Sequence, residues 1–111
     1  MINDNIKGFL GLCRRSGKIS PGHDSAVASI KKGKAVLAVT CCDCSQRLKD
    51  EIADECSFNG RNVRYVNAAF TMQEAALAMG MRAGVFTVDD RNLADRLYGY
   101  LTGGNEYDEK I

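Results

Sequence analysis

Two groups of residues in this 111-residue chain have types and spacings that could do chemistry. The first is Cys41-Cys42-Asp43-Cys44, where neighbouring thiols offer a nucleophile or soft metal ligands. The second runs from Ser16-Gly17-Lys18-Ile19-Ser20 through Pro21-Gly22-His23-Asp24-Ser25 and ends at Lys31-Lys32-Gly33-Lys34. Here a basic residue follows a turn, a short extended piece leads into a Pro-Gly helix start, and lysines close the helix. The first backbone N–H groups of a helix lack intrahelical acceptors and carry roughly half a positive charge, so such a start can hold a phosphate or another polar oxygen.

The thiol group is the weaker candidate. Structural zinc sites pair their ligands at short spacing, yet the chain has no second CxxC pair and only one histidine, His23. Cys13 and Cys56 fall on different predicted helices, and the total of five cysteines is odd, which suits free thiols better than a disulfide framework. No metal or other cofactor is expected. A thiol or metal protein built on Cys41, Cys42 and Cys44 stays open as a minor class. The remaining catalytic patterns are missing: no Ser sits in a G-x-S-x-G elbow, and no P-loop or G-x-G-x-x-G follows a strand. A non-enzymatic protein with no small-molecule substrate is the expectation.

Charge points the same way. The net charge is only +1, but residues 1–34 hold seven Lys and Arg against two acids, whereas the rest of the chain is acidic. One basic face on a near-neutral protein implies an anionic partner met at that face. The longest apolar run, Ala35 to Val39, is too short to span a bilayer, and Met1-Ile2-Asn3-Asp4 lacks the features of a signal peptide. The reading is a cytoplasmic protein with no membrane partner.

These residues need a scaffold, and the patterning supplies one. Asn3 or Asp4 caps a first helix with Ile2, Ile6, Phe9, Leu10 and Cys13 on its apolar side, stopping at Gly17. Ile19 and its neighbours form at best a short strand. Pro21 sets the backbone angle for a second helix that buries Ala26, Val27 and Ile30 and ends at Gly33. Ala35 to Thr40 reads as a central strand covered on both faces. Asp43 or Ser45 caps a third helix through Leu48, Ile52, Ala53 and Cys56, with Arg47, Lys49, Glu51 and Glu55 on a solvated face. A strand at 63–66 follows the Asn59-Gly60 turn. Thr71-Met72-Gln73-Glu74 has capping-box spacing, with Phe70 and Ala75 placed as a hydrophobic staple. After a strand at 83–88, Asp89 caps a last helix that buries Leu93, Leu97, Tyr100 and Leu101. This alternation predicts an α/β fold: a three-layer α/β/α sandwich with a mixed sheet of about four strands and about five helices. One domain over 1–101 is expected, with 102–111 as a flexible tail.

With those elements in order, the chain resembles a known family. The run Leu10-Gly11-Leu12-Cys13-Arg14-Arg15-Ser16-Gly17-Lys18, then Pro21-Gly22, then Ile30-Lys31-Lys32-Gly33-Lys34-Ala35 is similar to the ribosomal protein L-seven-Ae / L-thirty-e family, in particular its small bacterial ribosome-associated branch. Ala78-Met79-Gly80-Met81-Arg82 before the last strand continues the match, which covers nearly all of 3–101. The resemblance implies a sandwich that binds structured RNA, often at a kink-turn, through the start of the second helix and the loop before the last strand. The family's helix start commonly reads Gly-x-Asn-Glu-x-x-Lys; Gly22 keeps the glycine, while Asp24, Ser25 and Ala28 replace the Asn, Glu and Lys. Those three departures bear on kink-turn reading more than on RNA binding in general, because phosphate affinity comes mainly from Lys and Arg.

The candidate RNA-binding residues are therefore Lys18, Gly22, His23, Asp24, Ser25, Lys31, Lys32, Lys34 and Arg82. His23 either donates to or stacks on RNA, or is an exposed helix-start residue with no role. The expected partner is structured RNA, with ribosomal RNA or the ribosome as its source. The alternative is a protein-interaction module on the same fold that has lost RNA recognition.

Overall fold

The computed structural model describes residues 3–103. Five helices and four strands alternate: α1 (Asp4–Ser16), β1 (Ile19–Pro21), α2 (His23–Lys31), β2 (Leu37–Thr40), α3 (Gln46–Ser57), β3 (Arg64–Asn67), α4 (Met72–Met79), β4 (Val85–Val88) and α5 (Arg91–Thr102). A single 3-10 turn, Phe58–Gly60, links α3 to β3. The expected α/β order is thus found. The expected tail from residue 102 lies outside the described residues, except that Thr102 ends α5 and Gly103 caps it.

The sheet is mixed, in the order β1-β4-β2-β3. β2 runs parallel to β3 and antiparallel to β4, and β4 runs antiparallel to the edge strand β1. Each inner strand is buried on both faces, and its alternate residues serve two cores. Leu37, Val39, Phe86 and Val88 pack with Ile6, Phe9, Leu10, Ala75, Met79 and Leu97 from α1, α4 and α5. Ala38 and Val85 pack with Ala26, Ile30, Ile52 and Cys56 from α2 and α3. That division makes the three layers.

Four helix starts are closed by side chains that accept from a first-turn N–H: Asn3 for α1, Ser45 for α3, Thr71 for α4 and Asp90 for α5. Thr71 and Glu74 complete the expected capping box. Two local expectations change. Asp90, one residue beyond Asp89, caps α5, because Asp89 is engaged elsewhere. Pro21 does not open α2; it ends β1, where an edge strand tolerates its missing N–H, and Gly22 is the N-cap.

Candidate functional site

The register of the edge hairpin separates the candidate residues into two groups. Ile19 pairs with Val88 and Pro21 with Phe86, so the two ends of β1 face opposite ends of β4. At one end Gly22 N–H donates to Val85 O at 2.8 Å, which holds the start of α2 beside the loop that carries Arg82. At the other end Asp89 N–H donates to Lys18 O at 2.8 Å, beside the Lys31–Lys34 end of α2. Gly22, His23, Asp24 and Arg82 thus share one end of the sheet, Lys18, Lys31, Lys32 and Lys34 share the other, and Ser25 lies between, lining a cleft with Lys32 and Lys34. At ~1.5 Å per residue, a nine-residue helix keeps the groups roughly 13 Å apart.

Gly22 takes φ 88° and ψ 161°, a conformation essentially reserved for glycine. It brings no side chain to the helix start, so α2 is the one α-helix among the described residues whose N-terminus has no side-chain cap. Its first-turn N–H groups are left for an outside acceptor. Arg82 is exposed, and its loop is anchored from beneath: Cys41 N–H donates to Gly84 O at 2.9 Å and Cys41 Sγ lies 3.7 Å from Ala83 O. A Cβ at Gly84 would come within 3.2 Å of Met72 Sδ and 3.3 Å of Cys44 Cβ, so the backbone passes closely under that loop.

His23 has partners that local patterning did not suggest. Its Nδ1 lies 3.0 Å from Asp24 Oδ1 and its Nε2 lies 2.7 Å from Glu51 Oε2 on α3. The Glu51 contact first, then that with Asp24, raises the imidazole pKa above its ordinary 6.5. The two carboxylates favour the imidazolium form and flank the ring on both nitrogens. This also corrects the reading of α3's outer face as merely solvated. Glu51 reaches His23, Lys49 Nζ donates to Cys42 O at 2.9 Å, and Glu55 pairs with Arg61 at 3.0 Å.

At the opposite end the lysines lie along two neighbouring clefts. One is lined by Ser20, Ser25, Ala28, Ser29, Lys32 and Lys34, the other by Gly17, Lys18, Gly33, Lys34 and Asp89. Asp89 is tied to hydroxyls: Ser20 Oγ donates to its Oδ2 at 2.6 Å, while Ser29 Oγ and Thr87 Oγ1 donate to its Oδ1 at 2.7 and 2.9 Å. Ser29 and Thr87 are buried, which explains why the carboxylate turns inward instead of capping α5. Among the described residues, Lys18, Lys31, Lys32, Lys34 and Arg82 make no ion pair, whereas Arg61 and Arg64 are paired with acids elsewhere. Asp89, Glu51, Ser20 and Ser29 had no signal in local patterning, because their partners lie 28 to 69 residues away.

Four of the five thiols are buried. Burial pushes Cys41 up to about 12 and both Cys13 and Cys56 up to about 11, and it raises Cys44 as well. Groups held that high are protonated thiols at neutral pH, poor as nucleophiles or metal ligands. Among the described residues, no three or more His, Cys, Asp and Glu side chains are placed to share a metal ion. No helix among them is long and apolar enough to cross a membrane.

The fold, a mixed four-stranded sheet between helix layers, is shared by solved structures. One is a Bacillus halodurans protein of unknown function, 21% identical with a TM-score of 0.77, where the match covers 90% of this chain and 99% of that one. Another is the Giardia lamblia 15.5kD RNA binding protein, 14% identical with a TM-score of 0.67, covering 93% of this chain and 92% of that one. At these identities the likeness is one of fold. No protein-family model and no curated protein matches the chain.

Proposed function

We propose that this chain is a non-catalytic RNA-binding protein of the L-seven-Ae type, acting as one domain over 1–101 on structured RNA in the cytoplasm. The observation that carries this reading is the start of α2. It is the one uncapped α-helix N-terminus among the described residues, on a glycine without a side chain, beside the unpaired Arg82. Gly22 lets an RNA backbone approach the N–H groups of His23, Asp24 and Ser25, and Arg82 supplies a phosphate contact from the facing loop. Lys18, Lys31, Lys32 and Lys34 extend the positive field along α2. The fold shared with the Giardia RNA-binding protein supports the same reading. RNA with a kink-turn, including ribosomal RNA, is the substrate class that the family resemblance favours.

If about four to six of these residues contact phosphates, log affinity falls with log salt at a slope near −3 to −5. A salt-titrated binding assay against kink-turn and other structured RNAs tests this. Absence of binding at low salt, or binding indifferent to Lys31→Glu/Lys32→Glu and Arg82→Glu, rejects it. The second reading, a protein-interaction module, is favoured by one observation: Asp24 and Glu51 place two carboxylates at the helix start. Partners that stay bound after nuclease treatment would support that reading.

A further inference from the structure

The clefts at the Lys31–Lys34 end of α2 have features that a merely solvated lysine cluster would not need. Lys18, Lys32 and Lys34 line two concavities that share Lys34, and no acid among the described residues pairs with them. Lysines near a helix end often serve its carbonyls, but here backbone donors already do so. Lys32 N–H reaches Ala28 O, Gly33 N–H reaches Ile30 O, and both Lys34 and Ala35 N–H reach Ser29 O. α1 is closed likewise by Gly17 N–H and Ser16 Oγ. The ammonium groups are therefore available to something outside the protein.

The charge balance favours an anion. Two helix C-termini contribute roughly −0.5 each, and Asp89 contributes −1, against the three lysines that line the clefts, Lys18, Lys32 and Lys34. The remainder is about +1 in a re-entrant surface, where field lines concentrate. The larger cleft, about 430 Å³, falls in the range of ~300–1,000 Å³ typical of small-ligand sites, whereas the smaller, about 220 Å³, does not reach it alone. A Cβ placed on Gly17 or Gly33 would meet nothing within 4 Å, so the walls there are bare backbone open to a ligand.

Asp89 adds specificity. A carboxylate offers about four acceptor positions, and the hydroxyls of Ser20, Ser29 and Thr87 use three of them. One acceptor position is left over on a carboxylate that lines the cleft. A ligand that combines a phosphate with a hydroxyl donor satisfies both parts. We infer that the two clefts form a ribonucleotide site, with a phosphate held by Lys18, Lys32 and Lys34 and a ribose hydroxyl donating to Asp89. This site adjoins the α2 start, since Ser25 lines one of its clefts, but it does not depend on what Gly22, His23 and Arg82 recognise. Its nucleotide comes either from an RNA strand running past the end of α2 or from a free ribonucleoside triphosphate.

The full chain, titrated with 5′-labelled hexauridylate and with the deoxy hexamer that differs only in the 2′-hydroxyl, tests it by fluorescence anisotropy. The ribo hexamer binds, and it binds about tenfold tighter than the deoxy hexamer, as expected for one hydrogen bond to a charged acceptor. At ~0.1 M salt each phosphate contact is worth about tenfold, so Lys18→Glu and Lys34→Glu each weaken binding by that factor or more. Both residues are exposed, so these variants fold. Arg82→Glu, at the other end of the sheet, leaves hexamer binding intact even if it abolishes binding of kink-turn RNA. Asp89→Asn reduces the ribo preference while phosphate binding persists. UTP that displaces the hexamer and shifts the amide resonances of Gly33 and Lys34 identifies free nucleotide as a source. Shifts from the hexamer alone identify an RNA strand. Equal affinity for ribo and deoxy hexamers, or affinity untouched by Lys18→Glu and Lys34→Glu, overturns the inference.

Discussion

His23 Nε2 and Glu51 Oε2 stand 2.7 Å apart, joining the first residue of α2 to the middle of α3 across 28 residues of sequence. With Asp24 on its other nitrogen, His23 is the only side chain with an ordinary pKa near neutrality, and it sits at the uncapped helix start. The local charge changes by one unit when it titrates.

The sign of that titration is fixed. Because the folded-state pKa is raised, the contacts stabilise the fold fully below pH ~6.5 and that contribution fades as pH rises through the folded value. The side chain is largely exposed, so the effect on stability is small. NMR titration of the imidazole gives a midpoint above ~6.5 in the native chain, and Glu51→Gln lowers it. An identical midpoint in both proteins would refute the pairing. If RNA binds at the α2 start as proposed, its affinity falls over the same interval, as Asp24 and Glu51 lose their cation.

Asp89 holds three hydroxyls, two of them from buried residues. Asp89→Ala strands Ser29 and Thr87, and a loss of about 2–4 kcal/mol is expected from two unsatisfied buried hydroxyls. Ser20→Ala, at a half-buried position, costs about 1 kcal/mol. Urea denaturation measures both. Equal effects would mean that Asp89 is not the hub.

Gly22→Ala puts a side chain on a φ of 88° and ψ of 161°. The expected destabilisation is about 1–3 kcal/mol, from backbone strain alone, since a Cβ there meets no atom within 4 Å. Gly8→Ala, inside α1 and also with open space around it, is neutral or stabilising by up to ~1 kcal/mol because alanine favours helix. Thermal melts should show a lowered midpoint for Gly22→Ala and an unchanged or raised one for Gly8→Ala.

Cys13, Cys41 and Cys56 are buried, with thiols pushed up to between about 11 and 12. A thiol reagent at neutral pH labels these three only as fast as the fold opens, and denaturant releases them together. Cys42, half-buried, reacts before them. Fast labelling of Cys41 in the folded chain, read by mass spectrometry, contradicts this packing.

Much of the scaffold was legible in the chain itself. Ile6, Phe9, Leu10 and Cys13 recur at helical spacing and are all buried in α1. The apolar run at 37–40 became a strand buried on both faces, and Thr71 with Glu74 made the capping box that their spacing implied. Each of these depends on neighbours within four residues, where backbone hydrogen bonding and side-chain periodicity act directly. Of the candidate site, the residue types and the glycine of the α2 start were readable, but the arrangement was not. That Lys31, Lys32 and Lys34 close α2 was legible; that Lys18 lies at their end and the Arg82 loop at that of Gly22 was not, because the antiparallel register of β1 and β4 decides which ends meet.

By itself, then, the sequence determined the succession of helices and strands, the buried faces, most of the caps and an uneven charge. Only the tertiary structure decided which groups meet. Sheet order β1-β4-β2-β3 brings β1 and β4 together across some 69 residues, and that is what sends Asp89 to Ser20 and Ser29 and leaves Asp90 to cap α5. The packing of α2 beside α3 gives His23 its second carboxylate. Local patterns report what a residue does to its own backbone, but strand order and register are set by burying both faces of one sheet at once, which no short window of sequence contains.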